Sequence, residues 1–198
     1  MADGAVHRLA DAVPNPPHVL SLTGRTAAGV LDDIRRVALA LDIPDRGDEL
    51  ATALQDRLHR LATAPDRRPR VLCIEWLAPL YLAGHWVPDL VEAAGGVDVG
   101  ARSGVHSSRT SWDAAAALEP DLIVIMLCGF GVERAREELD LLRLPAAARL
   151  LASAPVWVLD GNAYTSRPGP RIVDGAERLR AAIEGREMPG LTRWTPVP

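Results

Sequence analysis

Several residues of this sequence stand where they can do chemistry. Cys128 ends an apolar run and is followed by Gly129-Phe130-Gly131 and a helical pattern. A cysteine at such a strand-to-helix turn can act as a nucleophile, since the thiolate attacks and exposed backbone amides hold an oxyanion. His85 is the candidate base, although the sequence places no third group to orient it. As a metal ligand His85 has no second His, Cys or carboxylate at ligand spacing, so no metal site is expected, and His7, His18, His59 and His106 read as surface residues. The competing chemistry is binding. The chain has five Trp, two Tyr and one Phe, and of these Trp76, Tyr81, Trp86, Phe130 and Tyr164 fall in three segments that follow apolar runs. Rigid rings with a polar handle cover an extended ligand at low entropic cost, while Asn162, Arg167, Cys128 and backbone amides can fix its polar rim.

Each of these residues also has a plainer reading. Trp86 opens a predicted helix and can belong to the core, so Trp76 and Tyr81 rank above it. Arg167 precedes Pro168-Gly169-Pro170 at the mouth of the last predicted helix, where a guanidinium and free backbone amides make a donor-rich spot. It can equally tie down its own loop. Asp113 follows Trp112 at a predicted helix start, where the helix dipole alone favours a carboxylate.

The elements that position these residues follow from periodicity. After an irregular arm over 1–17, His18 to Leu22 reads as a short strand. From Thr26, Val30, Leu31, Ile34, Val37, Ala38 and Leu41 form the stripe of an amphipathic helix. Ile43-Pro44 interrupts it, and Asp48 is placed to cap a second helix carrying Leu50, Leu54, Leu58 and Leu61, giving a two-part helical rod over 18–65. Beyond it, short apolar runs alternate with helical stretches. Strands are predicted at Val71 to Ile74, Val97 to Val99, Leu122 to Met126 and Val156 to Leu159. Helices are predicted over Val87 to Ala94, Trp112 to Leu118 with Ser111 as cap, Val132 to Leu142, Ala146 to Leu151, and Pro170 to Glu184. This is the pattern of an α/β fold, a three-layer αβα lobe with a mainly parallel sheet over 66–188, preceded by the helical segment and followed by a loose tail over 189–198. In such sheets ligands bind beyond the carboxyl ends of the strands, which is where the aromatic segments fall.

Composition narrows the classes. The 198 residues can bury a sizeable core, and 48% hydrophobic with 24% charged residues is a globular balance with no apolar run long enough to insert in a membrane. The net charge is −4 and basic residues, all of them Arg, do not interleave with aromatics, so nucleic acid is not an expected partner. Neither GxGxxG after a strand nor GxxxxGK[ST] occurs. Two cysteines, Cys73 and Cys128, make no disulfide framework. The first 17 residues lack the features of a secretory signal, so the sequence as it stands is expected in the cytoplasm, or outside it if it is a fragment of an exported protein.

Three stretches taken together, IEWLAPLYLAGHWVPDLVEAAGG, SWDAAAALEPDLIVIMLCGF and DGNAYTSRPGPRIVDGAERL, resemble the carboxyl-terminal lobe of the substrate-binding proteins that serve ABC importers of cobalamin and ferric siderophores, the cobalamin branch in particular. VLSLTGRTAAGVLDDIRRVALAL resembles the end of that family's first lobe and the start of its helical backbone. The resemblance implies non-catalytic binding of a cobalamin-like corrinoid or another metal-containing tetrapyrrole or chelate, held between two lobes, with no cofactor required. It also implies an ABC permease as partner, docked in the family by an exposed acid at the place of Asp113, which is here followed by Ala114. The sequence departs from the family where the first lobe should precede Val19, so a separate lobe or a homodimer mate is an expected partner, and without one the resemblance leaves degenerate binding as the alternative. Two alternatives stand beside this reading: a cysteine-dependent hydrolase or acyl transferase using Cys128, and a protein-interaction module that has lost its ligand.

Overall fold

The computed structural model describes residues 4, 8, 12–62, 67–142 and 144–195. Its sheet contains β1 (Arg70–Leu77), β2 (Leu80–Leu82), β3 (Val97–Asp98), β4 (Ser108–Arg109), β5 (Leu122–Ile125), β6 (Val156–Leu159) and β7 (Leu191–Trp194). They lie in the order β4-β2-β1-β5-β6-β7, with β3 also on β1. The pairs β1–β3, β1–β5 and β5–β6 are parallel, joined by helical crossovers, and Val71 to Ile74 sit opposite Leu122 to Ile125. Both β5 and β6 are buried at every residue, which is why they read as unbroken apolar runs. Antiparallel strands finish the edges, β2 and β4 on one side and β7 on the other.

Alternation along the strands divides the core into two layers. Val71, Cys73, Val124, Met126, Trp157 and Leu159 face α1 (Ala27–Ala40), α2 (Pro44–Leu61), α3 (Val87–Ala93) and α8 (Ile172–Ile183). Leu72, Ile74, Ile123, Ile125, Val156 and Val158 face α4 (Trp112–Ala116), α5 (Val132–Leu141) and α6 (Pro145–Ser153). The result is the expected αβα sandwich. A short helix, α7 (Gly161–Tyr164), follows β6, with Asp160 accepting from the Ala163 N–H at 2.8 Å as its cap.

Five expectations are corrected. His18 to Leu22 is not a strand: residues 16–25 carry neither helix nor strand; of the arm over 1–17, residues 1–3, 5–7 and 9–11 lie outside the described residues. The helical rod is instead a pair of helices packed on each other. The chain reverses at Asp42, whose φ is 57°, and Arg35 on α1 reaches Asp48 on α2 at 3.1 Å. Gly47 lies so close to the Ala38 methyl that a side chain would collide with it. The cap of α2 is Ile43 with Pro44 in the first turn, not Asp48. β1 continues three residues past Ile74 and turns at Ala78-Pro79 into β2, with Leu77 opposite Leu80. The tail is not loose over 191–194: β7 pairs with all of β6, and the indole of Trp194, 7% exposed, donates to Asp140 at 3.0 Å. Four residues are too few for periodicity to reveal, but they fill the open edge of a buried strand.

Candidate ligand-binding site

Two recesses open at the carboxyl ends of β1 and β5. The first, of about 160 Å³, is a polar recess only in that ionisable and hydroxyl groups converge on it: Glu75, His85, Ser107, Cys128 and Ser166 stand against apolar walls of Trp86, Val87 and Met126. The strand ladder builds it. Met126 N–H donates to Ile74 O at 2.8 Å and Cys128 N–H to Glu75 O at 3.1 Å, so the two chains stay in register just past the strand end. Gly84 passes under residues 105–107 where any Cβ would strike the Val105 carbonyl, and Gly161 passes equally close under Leu127. Ser166 binds the loops together, donating to Gly161 O at 2.7 Å and accepting from Gly129 N–H at 3.0 Å. Gly129 itself has φ 80°, the left-handed conformation that glycine adopts without strain.

Burial pushes the Glu75 carboxyl above its ordinary range, and a hydrogen bond from Ser107 offsets part of that rise. His85 is held in the left-handed region at φ 56°. Its Nε2 lies 2.9 Å from Nδ1 of His106 and its Nδ1 3.5 Å from Ser107 Oγ. Burial first, then His106 and Arg25, lowers its pKa. The reasoning that left His85 without a second histidine is therefore overturned: residues 21 positions apart meet because the 105–107 loop folds back over Gly84. Among the described residues no group of three or more His, Cys, Asp or Glu can hold a metal ion.

The second recess, about 250 Å³, is walled by the rings and aliphatic chains of Trp76, Leu77, Leu127, Phe130, Leu141 and Leu142, with Glu138 as the ionisable side chain in this otherwise apolar lining. Trp76 is 40% exposed, anchored through Nε1–H to Ala78 O at 3.0 Å. Its ring centre lies 5.9 Å from that of Phe130, tilted by 55°, and the Arg134 guanidinium stands 5.7 Å from the Phe130 ring.

The five rings do not converge on one pocket. Trp86, 8% exposed, lines the polar recess as core and spends its N–H on Thr165 O at 3.1 Å. Tyr81 is on β2, half-buried between its partners Trp76 and Arg109. Tyr164 packs inward, the Arg178 guanidinium 3.7 Å from its ring centre and Gly190 against its edge. Asn162 N–H donates to Phe130 O at 3.1 Å and Asn162 O accepts from exposed Arg167 at 3.4 Å, the loop-tying role weighed for that arginine. Asp113 is exposed and paired with Arg149 at 2.7 Å. Cys128 shares the polar recess with His85, yet among the described residues no hydrogen bond reaches its Sγ, and both His85 nitrogens face other partners. Sequence reasoning missed Glu75, Ser107, Ser166 and His106. A charged residue ending the apolar run Val71 to Ile74 was a usable signal for Glu75; the other three have none, since only the fold brings their loops together.

Solved structures share this fold. A vitamin B12 binding protein of Vibrio cholerae is 20% identical over 92% of this chain and 69% of its own, with a TM-score of 0.64. A periplasmic heme binding protein from Pseudomonas aeruginosa is 20% identical over 98% and 74%, with a TM-score of 0.66. A periplasmic binding protein from Veillonella parvula is 17% identical, with a TM-score of 0.61; the match covers 81% of this chain and spans 57% of that protein. No curated protein matches in sequence. The sequence model described as periplasmic binding protein matches residues 11–154. With that match over most of its length, the chain belongs to the periplasmic binding protein family.

Proposed function

We propose that this chain binds a metal-containing tetrapyrrole or related chelate, a cobalamin-like corrinoid first, without doing chemistry on it, as in substrate capture for an ABC importer. The observation that carries the reading is the pairing of the two recesses across the ends of β1 and β5. Glu75 and Ser107 in one can meet amide or acid side groups, while Trp76 and Phe130 beside them offer apolar faces to a macrocycle. Neither recess, at about 160 and 250 Å³, reaches the several hundred Å³ that enclose a drug-sized ligand. Such a ligand would lie on this surface, and a second wall, from a separate lobe, a second copy of the chain or a permease, would complete its burial. The expectation of a cytoplasmic protein finds no support in a family of periplasmic proteins, and we place the function outside the cytoplasm. Among the described residues no helix is long and apolar enough to cross a membrane.

The test is titration of the purified chain with cyanocobalamin, heme and a ferric hydroxamate, followed by absorbance and calorimetry at concentrations that sample monomer and dimer. Saturable one-to-one binding of at least one, weakened by Trp76→Ala and Glu75→Gln, is the expected result. If none binds at any concentration sampled, the reading fails and the interaction-module alternative takes its place.

A further inference from the structure

We propose that His85 and His106 form a two-imidazole chelating site for a late first-row divalent metal ion, with geometry suited to Ni2+ or Cu2+. The facing nitrogens, His85 Nε2 and His106 Nδ1, are 2.9 Å apart, and the rings meet edge to face at 4.9 Å. With metal–nitrogen bonds of about 2.0–2.1 Å, that separation subtends roughly 90° at a shared ion. This is the cis angle of square-planar or octahedral coordination; the tetrahedral angle that zinc favours needs the nitrogens further apart. Protons need not leave. Each neutral imidazole can keep its one proton on its other nitrogen, His85 on Nδ1 towards Ser107 Oγ at 3.5 Å and His106 on Nε2, so that both facing nitrogens present lone pairs.

The backbone segments that carry the rings are also tied together before any ion arrives. His85 N–H donates to Val105 O at 2.6 Å, Gly104 N–H donates to His85 O at 2.9 Å, and Gly84 N–H donates to Ser107 Oγ at 3.3 Å, a three-bond clasp between the segments that carry the two histidines. Less backbone freedom then remains to be lost on chelation. The charge of Arg25 opposes an added cation and Glu75 in the same recess favours it. Water or donor atoms of a chelate complete the shell, since the two imidazoles occupy only two cis positions.

The experiment is calorimetric titration of the EDTA-stripped full chain with Ni2+, Cu2+ and Zn2+ separately, in the wild type and in His85→Asn, His106→Gln and the control His59→Gln. Asn is chosen at 85 because it tolerates the left-handed backbone. One-to-one Ni2+ and Cu2+ binding is expected, weakened at least about tenfold by each site variant and unchanged by the control. Nitrogen hyperfine structure from two imidazoles in the Cu2+ spectrum should fall to one in either variant. Absence of Ni2+ and Cu2+ binding, or binding that His106→Gln and His85→Asn leave intact, overturns the proposal. It stands apart from the chelate reading above, because the probe is the metal alone.

Discussion

The two recesses at the strand ends are separated by one residue in sequence and by the whole thickness of the sheet in character. Successive side chains of a strand point to opposite faces. Cys73 belongs to the layer under α1, α3 and α8 and Ile74 to the layer under α5 and α6. At the strand end Glu75 lines the polar recess and Trp76 the apolar one. The same division recurs just past β5, where Met126 and Cys128 line the polar side and Leu127 the apolar side. Residues that cluster in sequence are thus dealt alternately to two places. One recess holds ionisable groups in a cross-bonded frame; the other presents rings and aliphatic chains to solvent.

The largest effect that tests this division concerns two tryptophans. Trp86 is buried in the wall of the polar recess with its N–H satisfied, whereas Trp76 stands on the rim of the apolar one. Truncating a buried Trp leaves a cavity and an unpaired carbonyl, so Trp86→Ala should cost about 3–5 kcal/mol in urea unfolding. Trp76→Ala, at a site 40% exposed, should cost clearly less, about 1 kcal/mol. Equal losses would mean that Trp76 is structural and that the apolar recess is not a binding surface.

Glu75 has a counterpart in Asp98, the other carboxyl that burial pushes upward. Asp98 accepts from the Gly100 and Ala101 N–H groups at 2.8 and 2.9 Å, but its Oδ2 is buried without a partner. Its pKa rises from 3.8 to about 6. A carboxyl raised on folding binds a proton in the native state over a window where the unfolded chain has lost it, so stability falls as pH climbs from about 4 to 6 and the full penalty persists above that. A shift of this size is worth roughly 3 kcal/mol. Asp98→Asn keeps the acceptor and removes the charge; it should raise stability by about 2 kcal/mol at pH 7.5 and give no gain near pH 3.5. Glu75→Gln should show the same sign with a smaller gain, because Ser107 already supports its charge. A loss of stability in Asp98→Asn at neutral pH would show that a cation or water partners Oδ2.

These contrasts also mark how far the sequence could be read. Buried strands at 122–125 and 156–159, the helix after Ser111 and the αβα order were legible because uninterrupted apolar runs and 3.6-residue stripes are local properties. The Ser111 hydroxyl does accept from Ala114 N–H at 3.1 Å. What escaped depends on pairing at a distance: β2 on β1 and β4 on β2, β7 on β6, and the meeting of His85 with His106. Of the residues named for ligand contact, Trp76 and Phe130 share one recess, Cys128 and Trp86 share the other, and Tyr164 faces α8. Trp86, Cys128, Phe130 and Tyr164 do lie beyond strand ends, whereas Trp76 and Tyr81 lie within β1 and β2; their directions diverge, since direction follows a two-residue alternation that clustering ignores.

If the proposed ligand lies across both recesses, Trp76→Ala should weaken it about tenfold, near 1.4 kcal/mol. Tyr164→Phe should leave it unchanged, the ring being packed against Arg178 and Gly190. A reversal of those two results would put the ligand on the α7 side and away from the apolar recess.

The smallest effect is read through the two thiols. Cys73 is buried in the sheet and burial holds its thiol well above the ordinary range, while Cys128 is exposed in the polar recess. The native chain should therefore label once with a small alkylating reagent, at Cys128, and twice only after unfolding. Cyanocobalamin or heme at saturation should slow that single labelling by about the bound fraction, because a ligand resting on Glu75 and Ser107 covers the same recess. Protection at Cys128 without loss of affinity in Trp76→Ala would confine the ligand to the polar side. Loss in Trp76→Ala without protection would confine it to the apolar side, and the two together would show one ligand spanning the divide that alternation creates.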